Sequence, residues 1–163
     1  VVLPHLDSAY NLARWLTGND HDAEDVVQDA YLRAAKFFGS FRGGEGRPWL
    51  LAVVRRASYD WLGRNRAHQG LAVFDEEIHS GAGAGFDPVQ VLLKQEDRAA
   101  LRQAVADLPV EFREVVVLRE LEGLSYKEIA AVTELPPGTV MSRLARGRER
   151  LRDGLARLLR EGA

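Results

Sequence analysis

Four arginines stand on one short run of this sequence, PPGTVMSRLARGRERL, from Pro136 to Leu151. Proline suits the first turn of a helix, because the N–H it lacks would have no partner there. At helical spacing Thr139, Ser142, Arg143 and Arg146 lie early in that helix, where side chains can reach the base edges and phosphates of a duplex. Arg150 follows one turn later on the same outward side. Arginine suits either target, since its planar fork grips phosphate oxygens or the acceptor edge of guanine with two hydrogen bonds. Val140, Leu144, Leu151, Leu155 and Leu158 fall on another stripe and are expected to be core. The plain alternative is that exposed arginines form a solvated face, with pairs such as Arg146 and Glu149 supporting the helix alone.

The residues just upstream favour the nucleic-acid reading. Ser125-Tyr126-Lys127-Glu128 has the spacing of a capping box, in which the Ser hydroxyl accepts the Glu128 N–H and the Glu side chain reaches back to the Ser N–H. Gly123 closes the helix before it, and Ile129, Ala130 and Val132 point the short capped helix inward. A capped short helix, a turn and a longer basic helix make a helix-turn-helix.

No other constellation carries chemistry. The chain has no cysteine, which excludes disulfides, thiolate metal sites and a Cys nucleophile. His5, His21, His68 and His79 are scattered, without the i, i+4 spacing of a metal pair. No carboxylate is matched to a nucleophile. No catalytic residue, metal or cofactor is expected, and the chain reads as a non-enzyme.

The elements that must position the arginines read as all-helical. Over 163 residues the 22 Lys and Arg are balanced by 24 Asp and Glu, for a net charge of −2. Such a balance excludes indiscriminate coating of nucleic acid, so any binding surface is a local patch. No apolar run approaches the roughly 20 residues that span a bilayer, so membrane insertion is not expected and the setting reads as cytoplasmic. The start at Val1 rather than Met is consistent with a trimmed leader.

Helical periodicity predicts three helices up to residue 66. Asp22 is expected to cap the second and Pro48 to start the third, whose buried stripe reads Trp49, Leu50, Val53, Val54, Ala57 and Trp61. From 67 to 87 periodicity gives way to glycines and the acids Asp75, Glu76 and Glu77, the pattern of a flexible linker. Helical spacing returns over 88–163, with helices expected at 88–106, 110–121, 125–132 and 137–159. The expectation is two small helical domains, 1–66 and 88–163, joined by an acidic linker.

The run LPVEFREVVVLRELEGLSYKEIAAVTELPPGTVMSRLARGRERLR resembles the promoter-binding domain of bacterial RNA polymerase sigma factors, and DAEDVVQDAYLRAAKFFGSFRGGEGRPWLLAVVRRASYDWL resembles their core-binding domain. Order and length are similar to the extracytoplasmic-function group of the sigma-70 family. The resemblance implies a promoter-specific initiation factor that binds core RNA polymerase and promoter DNA, and an anti-sigma factor as a further partner. It implies polymerase docking by the second helix through Asp25, Gln28, Asp29 and Arg33. Asp22, Asp25 and Asp29 would offer carboxylates to a basic partner.

The Gly-rich loop before Pro48 and the helix after it resemble the part that captures the melted −10 strand, with Arg42, Arg47, Arg55 and Arg56 as a positive track. The last helix would read the −35 duplex through Thr139, Ser142, Arg143, Arg146 and Arg150. Trp49 and Trp61, on the apolar stripe, are expected in the core rather than in the site. Three positions depart from the resembled pattern: Arg56 where Asn is frequent, Glu134 where the turn often has Gly, and Met141 where a basic residue is frequent. An altered turn is expected at Glu134, because a non-Gly residue with positive φ is uncommon. Two other readings fit the same residues: a sigma mimic that sequesters an anti-sigma factor, and a stand-alone helix-turn-helix repressor.

Overall fold

The computed structural model describes residues 3–40, 46–69 and 95–161. Among these residues there is no strand, and seven α-helices follow one another: α1 Leu6–Thr17, α2 Asp20–Phe37, α3 Gly46–Gln69, α4 Gln95–Ala106, α5 Val110–Val116, α6 Tyr126–Thr133 and α7 Pro137–Glu161. Arg42, most of the expected linker 67–87 and the expected helical start at 88 lie outside the described residues.

Local chemistry explains the helix ends and corrects several expectations. Gly18 stops α1 in the left-handed region at φ 93, a conformation without penalty only for glycine, and its N–H donates to the Arg14 carbonyl at 2.9 Å. The cap of α2 is Asn19 rather than Asp22: the Asn19 side chain accepts the Asp22 N–H, and Asp20 and Asp22 lie in the first turn, where the helix dipole favours acids. Helix α3 begins at Gly46, two residues before Pro48, which is tolerated because first-turn N–H groups have no intrahelical acceptor. It runs through Gln69, beyond the boundary expected at residue 66. The expected 110–121 helix changes character after Val116, where a π turn, Val117–Leu121, widens the spiral.

Helices α1 to α3 pack on one another, with Leu12, Leu16, Leu50, Leu51 and Val54 fully or almost fully buried. In the second set, α7 lies against α4, α5 and α6, and Leu118, Leu124, Ile129 and Leu144 are buried in the same way. Each such side chain contributes about 1.5–3 kcal/mol of hydrophobic stabilisation, so the stripes decide which face of each helix turns inward. The stripe of α3 includes Leu51, which the sequence reading left out, while Trp49, Val53 and Trp61 are only partly buried against it. On α7 a single glycine sets the spacing. A Cβ on Gly147 would lie 2.9 Å from Val116 Cγ2, so α7 approaches α5 more closely than any side chain would permit.

The two sets do not stand apart. Helix α3 packs against α6, and α1 against α5. Their buried residues form one hydrophobic cluster. Helical units of this size bury a smaller fraction of their chain surface than a larger domain does, and docking the sets extends the core.

Candidate nucleic-acid interface

The capping box forms as its spacing predicts: the Glu128 N–H donates to Ser125 Oγ at 3.1 Å and the Ser125 N–H to Glu128 Oε1 at 2.9 Å. The turn that follows is not altered. Glu134 closes α6 in the left-handed region, φ 58 and ψ 32, so the turn keeps its geometry and a glutamate carries the strain. The Pro136 carbonyl then accepts the N–H groups of Thr139 and Val140 at 3.0 and 3.1 Å, which starts α7.

Val140, Leu144, Leu151 and Leu155 anchor α7 from within, and Leu158 is partly buried against the same cluster. On the other side Met141 and Ser142 are exposed, and Thr139, Arg143 and Arg146 are half-buried at the base of the same face. Among the described residues no acid pairs with Arg143 or Arg146. Later arginines of the run are engaged: Arg148 meets Glu120 at 2.6 Å, and the Arg150 guanidinium lies over the Phe112 ring at 4.9 Å. The open part of the −35 candidate is therefore the first three turns of α7, through Arg146.

The −10 candidates lie differently. Each of the three described arginines meets an acid from the second helical set. Arg55 forks onto Glu114, with Nε donating to Oε2 at 2.7 Å and the second donor reaching Oε1 at 3.1 Å. Side-chain exposure is 17% for Arg55 and 1% for Glu114, so this pair is buried. Burial works against the Arg55 charge, but the hydrogen bonds and attraction of Glu114 outweigh it and raise the pKa. Tyr59 lies beside the pair, its ring 4.5 Å from the Arg55 guanidinium carbon, and burial together with the Glu114 charge pushes its phenol well above the usual tyrosine range.

Arg47 donates to Glu122 Oε2 at 2.7 Å and to the Glu122 carbonyl, while Asn11 donates to the other carboxylate oxygen at 2.7 Å. Arg56 pairs with Glu134 at the exposed edge. Two positions that stand apart from the resembled pattern thus meet each other. Arg113, from the second set, is buried enough that its pKa is lowered, and it donates only to main-chain carbonyls, including that of Leu16 in α1.

Beside Arg56, a cleft of about 400 Å³ opens between α2 and α3, lined by Arg33, Phe37, Trp49, Ala52, Val53, Arg56 and Glu134. Trp49 is therefore not purely core: it is half-buried, meets Phe38 edge-on at 6.1 Å, and turns part of its ring to this cleft. A partly apolar, aromatic cleft with a cation at its rim can receive a planar unstacked base.

On α2, Asp25 and Gln28 are exposed, whereas Asp29 and Arg33 are bound to each other at 3.0 Å. Arg33 also reaches Asp60 of α3 at 2.7 Å, which keeps its charge fixed within the protein. Of the four polymerase candidates, Asp25 and Gln28 lie at the surface, Asp25 with His21 at 3.9 Å one turn away, and Asp29 and Arg33 brace α2 on α3. Missed in the sequence were the acids themselves. Glu134 was singled out there only as an unusual turn residue, and Glu114 is one of three charges in Val110 to Leu118, a stretch whose spacing does not mark it as the acid that is buried and requires a cation.

The family model described as Sigma-70 region 2 matches residues 1–68, and that described as Sigma-70, region 4 matches 98–151. The chain is 36% identical to the ECF RNA polymerase sigma factor SigE of Mycolicibacterium smegmatis over 157 residues, covering 96% of this chain and 61% of that protein. It is also 36% identical to the RNA polymerase sigma-H factor of Pseudomonas aeruginosa, over 86% of this chain and 76% of the relative. Two solved structures are similar at 26% identity. The sigma factor RpoE in complex with the anti-sigma factor NepR from Bartonella quintana has a TM-score of 0.71 and matches over 95% of this chain and 94% of that one. CnrH in complex with the cytosolic domain of CnrY has a TM-score of 0.66 and matches over 95% and 84%.

Proposed function

This chain belongs to the extracytoplasmic-function group of the sigma-70 family of RNA polymerase sigma factors, and from that membership we propose that it is a promoter-specific transcription initiation factor. It binds core RNA polymerase, captures the melted −10 strand with its first helical set and reads the −35 duplex with α7. The observation that carries this reading is the outward face of α7, where Thr139, Ser142, Arg143 and Arg146 follow a capped helix and a left-handed turn, with no acid among the described residues neutralising Arg143 or Arg146. A helix so mounted enters a major groove by its amino-terminal turns, with arginine forks on guanine or phosphate.

Arg47, Arg55, Arg56 and the cleft beside Trp49 support the −10 role, since single-strand capture combines a cationic track with a surface for a base. Asp25 and Gln28 supply an accessible polar edge on α2 for the polymerase, with Asp29 and Arg33 fixing that helix in place. Polymerase performs the nucleotide chemistry, so this chain acts as a non-catalytic subunit where transcription occurs, in the cytoplasm. Among the described residues no helix is long and apolar enough to cross a membrane. One similar solved structure is a complex with the anti-sigma factor NepR and another a complex with the cytosolic domain of CnrY, which supports an anti-sigma factor as the regulator of this chain.

Run-off transcription tests the proposal. Core polymerase plus this chain is expected to start at promoters selected from a random pool, with a footprint that needs both components. No stimulation over core alone would reject the reading, and a footprint by the chain without polymerase would point to a repressor.

A further inference from the structure

We infer that Met141 is a specificity determinant of the −35 contact: its thioether side chain packs against the 5-methyl group of a thymine in the major groove and disfavours the other bases at that position. The inference rests on the reading of α7 as the duplex-binding helix and adds to it the base that one of its side chains selects.

Methionine is apolar, yet Met141 is 55% exposed and takes no part in the hydrophobic cluster that holds α7. One exposed apolar side chain carries no message by itself. Its place does: Met141 lies in the second turn of α7, among the turns that a helix mounted in this way presents to a groove.

The two sides of that face differ. Helical rotation puts Thr139, Arg143 and Arg146 together on one side and Met141 on the other. Between them the crest is low. Gly138 has no side chain, Ala145 has a single methyl group, and Ser142 turns its hydroxyl back to donate to the Thr139 carbonyl at 3.3 Å. Nothing on the crest therefore holds Met141 away from the floor of a groove. Two turns on along the Met141 side, Arg148 is held by Glu120 at 2.6 Å, which spends its charge within the protein. One side of α7 thus offers guanidinium forks for phosphate or guanine, and the other offers a flexible apolar group.

Only one base presents an apolar group in the major groove. Guanine, adenine and cytosine show hydrogen-bonding groups there, whereas thymine adds its 5-methyl group beside O4. A thioether is at best a weak acceptor, so against a polar edge it displaces water without replacing the hydrogen bonds lost. Against the methyl group it removes apolar surface of both partners from water, which is favourable. The unbranched, polarisable side chain can follow the methyl group without movement of the backbone.

The test uses holoenzyme, core polymerase with the full chain, on a promoter selected from a random pool. Selection is expected to enrich one A·T pair within the −35 element. Replacing its thymine by deoxyuridine removes only the methyl group and is expected to weaken binding about four-fold, the equivalent of one buried methyl group. Met141→Gln keeps the length of the side chain and removes its apolar end, so it should bind the two duplexes alike, whereas Met141→Leu should retain the preference for thymine. The position is exposed, and unchanged unfolding midpoints show that both variants keep the fold. Equal affinity of the wild-type holoenzyme for thymine and deoxyuridine at every −35 position overturns the proposal. So does a deoxyuridine penalty that persists in Met141→Gln, which would assign the methyl contact to another side chain. A wild-type holoenzyme with no −35 footprint rejects the reading of α7 and this inference with it, whereas a footprint indifferent to the methyl group rejects the inference alone.

Discussion

Replacing Arg55 by methionine tests the centre of the docked arrangement. Its guanidinium supplies both hydrogen bonds recorded for the Glu114 carboxylate, at 2.7 and 3.1 Å, and that carboxylate is 1% exposed. Arg55→Met therefore leaves a charge enclosed without its cation, a change that typically costs about 3–5 kcal/mol. The enclosure has an exit, however, because α3 supplies the cover and α5 supplies Glu114. If the sets part, Glu114 rehydrates, so the loss cannot exceed the free energy of docking. The variant is expected to lose about 3 kcal/mol or to undock, whichever costs less.

Glu114→Leu in the Arg55→Met background removes the stranded charge and fills the space, and is expected to recover most of the loss. The coupling between the two positions should then approach about 2–3 kcal/mol, near the top of the range for residues in contact. Urea unfolding followed by tryptophan fluorescence suits the measurement, since Trp15, Trp49 and Trp61 all lie in the first helical set, with small-angle scattering to report undocking. A loss below about 1 kcal/mol, the value of an exposed pair, with no change in scattering would refute the reasoning.

Three further outcomes are expected. Below the ordinary tyrosine value of 10.0 Tyr59 is protonated whether folded or not; above it the unfolded chain releases that proton first, so stability should fall as pH rises, by up to about 1.4 kcal/mol per unit. Glu114 and Glu111 disfavour the phenolate and Arg55 favours it, while Tyr10 and Tyr31 titrate late as well, so the Tyr59 share is the difference between the wild-type slope and that of Tyr59→Phe; identical slopes would remove it. Gly147→Ala should destabilise the second set by about 1 kcal/mol in thermal unfolding, as overpacking against Val116 exceeds the gain in helix propensity, and a stabilised variant would contradict the close approach of α7 to α5. Arg146→Ala should weaken −35 duplex binding by the holoenzyme by about 1–3 kcal/mol in a titration, selectively at one base pair if it reads a base and uniformly if it holds phosphate, whereas unchanged affinity would take it out of the interface.

What could be read from the residue order is local. The capping box at Ser125, the inward stripe Val140, Leu144, Leu151 and Leu155, and the outward Met141 and Ser142 depend on neighbours three to eleven residues away, and helical period places them without further information. The resemblance to sigma factors rests on the same short-range patterns. Where local choices compete, as between Asn19 and Asp22 for the cap of α2, spacing alone picked the wrong one.

Tertiary structure alone decided what the charged side chains touch. Arg47, Arg55 and Arg56 meet their acids across 75, 59 and 78 residues of sequence, and a helical pattern carries no information at that distance. The same limit hid the contact of Arg33 with Asp60, 27 residues on, which fastens α2 to α3 and leaves Asp25 and Gln28 facing outward. Periodicity fixes which face of a helix turns inward because burial acts on each residue separately. Which helix arrives opposite that face depends on the free energy of all the contacts together, and only the folded arrangement records its result.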